Sequence, residues 1–149
     1  MIISSASQAS PADKVRITAL SDLSFGSIMN FAADSVRSES LCLYAKRPPL
    51  DQYRITASGS GPGGSFELSS GSDSLPYEVQ WNDIPGQSGG APLLANQPLT
   101  AQQSTASVDD CSKGAATTAS LVVVLRSSDV SAASSGTYAG TLTLLVAPE

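Results

Sequence analysis

The chain has 149 residues, a formal net charge of -5 and a sequence pI near 4.5; 41% of its side chains are hydrophobic and 14% are charged. That is enough apolar material for one domain with its own core, and the acidic balance argues against a nucleic-acid groove, where phosphate neutralisation needs clustered Lys and Arg. With no histidine in the chain, Ser-His-Asp and Cys-His nucleophile systems and histidine metal triads are excluded too.

No apolar run approaches the roughly 20 residues needed to cross a bilayer, so no membrane insertion is expected. The start, Met1-Ile2-Ile3 passing into Ser4-Ser5-Ala6-Ser7, lacks the basic, apolar and small-residue order of a secretory leader. Residues 1–13 read as a flexible segment ahead of a domain spanning 14–149, in a mature chain that carries an added Met. Low charge and plentiful Ser, Thr, Ala and Gly fit an extracellular β-protein.

In chain order, Lys14 to Leu20 alternates with Val15, Ile17 and Ala19 inward, and a short piece around Leu23-Phe25 ends at Gly26. Glu39 to Ala45 forms the next strand, carrying Cys42. Pro48-Pro49-Leu50-Asp51 is a turn, Gln52 to Ala57 alternates again, and Gly59 to Gly64 is a glycine-rich hairpin. Ser65 to Ser69 and Pro76 to Trp81 are further strands. The segment from Asn82 to about Ala106 is loop-like with one edge strand near Leu99, and Ala119 to Arg126 is a nearly continuous apolar strand of the kind found at a sheet centre. No helix is expected. Several short strands at this spacing predict an all-β, two-sheet sandwich of immunoglobulin-like type.

The final strand is the most strongly patterned. From Gly136 to Val146, residues Tyr138, Gly140, Leu142, Leu144 and Val146 share one face. Such a strand needs a partner on each edge, and no later segment is expected to supply one. A missing neighbour leaves unpaired backbone groups beside an apolar groove, a template for strand addition from another chain.

Chemistry-bearing motifs are sparse. Gly59-Ser60-Gly61-Pro62-Gly63-Gly64 matches G-x-G-x-x-G but leads into strand-like Ser65-Phe66-Glu67-Leu68, without the helix that presents its N-terminus to a pyrophosphate. None of Lys14, Lys46 and Lys113 completes S-x-x-K. Asp109-Asp110 lacks the spacing of a calcium loop, and no carboxylate pair stands out for glycoside hydrolysis. No catalytic residue, metal ligand or cofactor is therefore expected. Cys42 and Cys111 fit neither a redox nor a zinc spacing, which leaves a disulfide or two unrelated buried thiols. A bridge closing about 70 residues removes on the order of 4 kcal/mol of unfolded-state entropy advantage.

Together, Leu23-Ser24-Phe25-Gly26, the cysteine strand Leu41-Cys42-Leu43, Tyr53-Arg54-Ile55-Thr56 into a glycine-rich turn, Leu75 to Trp81 and the ending Gly136 to Leu144 resemble chaperone-usher pilus subunits, closest to the spore coat protein U and archaic-type pilin group. The resemblance spans roughly residues 14 to 149. It implies an immunoglobulin-like sandwich lacking its seventh strand, completed first by a periplasmic pilus chaperone and then by the N-terminal extension of a neighbouring subunit, as part of a surface fibre (fimbrium). By that pattern Tyr138, Gly140, Leu142, Leu144 and Val146 line the donor-strand groove, Val15, Ile17 and Ala19 form the facing wall, and Gly140 leaves room for an incoming side chain. The start departs from it: Ile2 and Ile3 are followed by small and polar residues, a poor donor segment that favours a tip or minor subunit. The competing expectation is a self-contained secreted sandwich that binds a carbohydrate or adhesive target, with Trp81, Tyr44 or Tyr53 stacking on a sugar.

Overall fold

A computed structural model describes residues 1–7 and 14–149. The chain folds into strands β1 (Ile2–Ser7), β2 (Lys14–Thr18), β3 (Ser35–Lys46), β4 (Gln52–Gly59), β5 (Glu67–Ser70), β6 (Asp73–Pro76), β7 (Glu78–Asn82), β8 (Ala91–Leu93), β9 (Pro98–Gln103), β10 (Ala119–Leu125) and β11 (Thr141–Pro148), with one short helix, α1 (Ser127–Ala132). Two sheets form the sandwich, in the orders β1-β11-β4-β9 and β2-β3-β10-β7-β8, and β5-β6 is a separate hairpin. The fold is all-β and compatible with an immunoglobulin-like sandwich, as the periodicity predicts.

Alternation places the core between the sheets. Leu41, Leu43 and Ala45 of β3, Leu121, Val123 and Leu125 of β10, and Val79 and Trp81 of β7 face Tyr53, Ile55 and Ala57 of β4 and Leu142, Leu144 and Val146 of β11; all of these are buried. Trp81 meets Tyr53 edge-on at 6.4 Å between ring centroids, and its indole N–H donates to the Tyr53 hydroxyl at 2.9 Å. Each ring thus satisfies the other's polar atom inside the core, where an unmade hydrogen bond is costly.

Strand β10 is buried along its whole length, as its continuous apolar run predicts. The segment after β7 lies over its outer face: Ser120 Oγ donates to the Ile84 carbonyl at 2.8 Å and accepts from the Gln87 N–H at 3.0 Å. The expected edge strand near Leu99 is β9, paired with β4, while β8 was not expected in this loop-like stretch.

Several elements differ from expectation. β3 begins at Ser35, since β10 pairs with it from Ser35 to Leu41. The Leu23-Phe25 piece is not a strand. α1 forms although its sequence, Ser-Ser-Asp-Val-Ser-Ala, has no helical apolar period; the Asp34 carboxylate accepts from the Ser127 N–H at 2.8 Å and so satisfies a helix-start donor from 93 residues away. β11 starts at Thr141 instead of Gly136, because Ala139 is drawn into a two-way backbone bridge with Ser69.

The largest correction lies at the N-terminus. Residues 2–7, expected to be part of a flexible N-terminal segment and at most a weak donor, form a strand of the sandwich itself; residues 8–13 of that segment lie outside the described residues.

Candidate functional site

The candidate site is the outer edge of β11. On its inner edge β11 pairs antiparallel with β4, from Leu142 opposite Gly59 to Pro148 opposite Tyr53. On its outer edge it pairs parallel with β1, from Ile2 opposite Thr141 to Ser7 opposite Val146. The Ile2 N–H donates to the Gly140 carbonyl at 2.9 Å, and the Ser4 and Thr143 hydroxyls share a hydrogen bond at 3.1 Å. The expected row of unpaired β11 backbone in a lone chain is therefore absent, because the chain's own start fills it.

How well β1 fills it follows from its sequence. Paired residues in a sheet point to the same side, so Ile3 beside Leu142 and Ser5 beside Leu144 lie on the core-facing side, while Ile2 and Ser4 lie on the other. Ile3 and Met1 pack against the core only partly buried, Ser5 is exposed, and Ile2 is 60% exposed. None of the residues from Met1 to Ser5 is fully buried.

Of the expected groove residues, Leu142, Leu144 and Val146 are fully buried on the inner face of β11. Across from them in the other sheet stand Val15, buried, and Ile17, half-buried, both on β2. Ala19 does not join this wall: it follows the end of β2, is exposed and has φ +63°, which turns the chain out of the strand. Tyr138 lies ahead of β11, half-buried, with its hydroxyl donating to the Ser134 carbonyl at 2.9 Å. Gly140 leaves no room for an incoming side chain. A Cβ there would sit 3.0 Å from the Glu67 carbonyl oxygen, Leu68 Cδ2 and Ser60 Oγ, so the glycine permits close approach of β5 and of Ser60 just after β4 instead.

Beyond the start of β1 the edge opens into a cleft of about 770 Å3. Leu68, Leu75 and Leu125 line it together with Phe25, Ile28 and Tyr138, and Met1 stands in its wall. Residues 20–34, which carry Phe25 and Ile28, are anchored at several points, among them both ends and the middle. The amino group of Met1 donates to the Leu23 carbonyl at 3.2 Å, Ser21 bonds to Glu39 Oε1, and the Asp34 carboxylate accepts from Arg126 at 2.7 Å. Arg126 also forks onto Glu78, at 2.8 Å through Nε and 2.6 Å through Nη2. The Ser127 N–H and then Arg126 hold the Asp34 carboxyl below its ordinary range, Arg126 does the same for Glu78, and the two carboxylates push the guanidinium upward. Sequence reading singled out Leu23 to Gly26, Leu75 and Tyr138 but not the cleft that they line together.

At the other end of the sandwich Cys42 and Cys111 form the disulfide, with Cα atoms 6.0 Å apart and both residues buried. The bridge is compatible with a secreted or extracellular protein. No described helix is long and apolar enough to cross a membrane. Among the described residues, no group of three or more His, Cys, Asp or Glu side chains is placed to hold a metal ion. Of the expected sugar-stacking rings, Trp81 and Tyr53 are spent in the core, and Tyr44 is half-buried on β3. No family model matches the chain, and comparison with characterised proteins finds none similar in sequence.

Proposed function

We propose that this chain is a structural, non-enzymatic subunit of a surface fibre of chaperone-usher type, assembled by strand addition at the outer edge of β11 and placed at the tip or as a minor component. The observation that carries the reading is the unequal completion of β11: a fully apolar, fully buried inner face whose outer backbone edge is closed only by a short parallel strand with a serine on its core-facing side. A neighbouring subunit's extended segment, or first the exposed strand of a periplasmic chaperone, supplies the same backbone bonds with better side chains. The disulfide suits passage through the periplasm to the cell surface. Immunogold electron microscopy of the native host tests this: antibody against the chain should label surface filaments, and label confined to soluble secreted protein removes the proposal.

A second reading has one observation in its favour. Since β1 pairs with β11 within the same chain, the sandwich is also consistent with a self-contained secreted binding module, which requires a monomer that unfolds cooperatively and keeps its edge closed.

A further inference from the structure

We infer that β1 is a removable intramolecular plug: it holds the outer edge of β11 in the isolated chain and gives way to an extended segment of another polypeptide that carries a bulky apolar residue at the place of Ser5. The inference deepens the fibre reading and rests on it.

Three observations converge. First, β1 is held mainly by backbone pairing in the parallel mode, which is slightly weaker per residue than the antiparallel pairing of β4 on the opposite edge. Second, on the core-facing side of β1, Ile3 is partly buried and the next residue, Ser5, is exposed although it pairs with fully buried Leu144. A strand with Ile or Leu there gains burial at no cost in backbone bonds, so β1 is replaceable by a better-matched rival. Third, Ile17 on β2, a strand of the facing sheet that β1 touches, is only half-buried, so apolar surface opposite β1 is still open to cover.

The geometry also supplies a lock. Ser4 and Thr143 are register partners whose hydroxyl oxygens stand 3.1 Å apart on the outer side, away from the core. Cysteines at both places crosslink β1 to β11 without altering any inward-facing residue.

The probe is a synthetic, fluorescent peptide with the sequence of residues 1–13 carrying Ser5→Ile, compared with the unaltered peptide, and binding to the full chain is followed by anisotropy. The Ser5→Ile peptide should bind at least tenfold tighter than the unaltered one. The oxidised S4C/T143C chain should lose at least tenfold in affinity, and an Ile3→Ser chain, with a weaker plug and an intact β11, should take up peptide faster than wild type. Equal binding by the crosslinked chain places the peptide elsewhere and overturns the plug; so does an absence of uptake by the uncrosslinked chain, or uptake indifferent to Ile3→Ser. Failure of the plug and failure of the fibre reading give different results. Labelled filaments without exchange remove the plug and keep the fibre, whereas exchange without filaments keeps the plug and removes the fibre.

Discussion

Strand β11 has two neighbours, and they hold it by different physics. β4 runs antiparallel to it and places Tyr53, Ile55 and Ala57 fully inside the core, so backbone pairing and side-chain burial reinforce each other along the same edge. β1 runs parallel, contributes half-buried Ile3 with half-buried Met1 just ahead of it, and relies on its ladder. A sheet edge can thus be closed in hydrogen-bond terms while remaining weakly closed in hydrophobic terms, and the second quantity is where a rival strand gains most.

The sharpest way to break this contrast is to truncate each side in turn. Ile55→Ala on β4 should cost about 2 to 5 kcal/mol, the range for emptying a packed core site, read from chemical denaturation. An effect below about 1 kcal/mol would mean that the β4 side is no better packed than the other. Next in size is Tyr53→Phe, which leaves the buried Trp81 N–H without its acceptor and should cost about 1 to 3 kcal/mol with the fold retained. Ile3→Ala should cost only about 1 kcal/mol, and amide exchange should quicken in β1 and at the outer edge of β11 while β4 stays protected; uniform loss of protection would show that β1 belongs to the cooperative core. Leu144→Asp, attractive as a way to block a groove, is unsuited to the purpose, since Leu144 is fully buried and the charge should prevent folding altogether.

The smallest effect is electrostatic. Asp34 and Glu78 have folded-state pKa values lowered from their ordinary 3.8 and 4.5, so the stability they contribute is present above those values and is lost as pH falls through the folded ones. Both are exposed, and the loss should be modest. Because Asp34 ends the segment that also receives the Met1 amino group, acid below about pH 4 should raise amide exchange in residues 20–34 and β1 before β4. Arg126→Ala should remove most of that pH dependence; an acid response unchanged in the variant would assign it to other carboxylates.

Much of the sandwich was legible because period-two alternation and burial coincide in it. The apolar run at Leu121 to Leu125 marked the centre of a sheet, and the alternation of Leu142, Leu144 and Val146 marked an inner face. Cys42 and Cys111 left few pairings to consider. What was hidden depends on partners distant in sequence. α1 is started by Asp34, Gly140 is required by Glu67, Leu68 and Ser60, and Ala19 turns out of the wall that its alternation with Val15 and Ile17 predicts. The role of β1 was the hardest to read, since two isoleucines ahead of small polar residues look like a poor strand by composition, and only the register with Thr141 to Val146 gives them a place.

The tether of β1 has a kinetic meaning. Because residues 8–13 join it to β2, its local concentration at the β11 edge is on the order of millimolar, whereas a free competitor at micromolar level starts about a thousandfold behind. Spontaneous self-association in dilute solution is therefore suppressed even though the closing strand is a poor fit. A competitor offsets that handicap in one of two ways, by a better-fitting apolar side chain at the place of Ser5 or by a local concentration that matches the tethered strand's own.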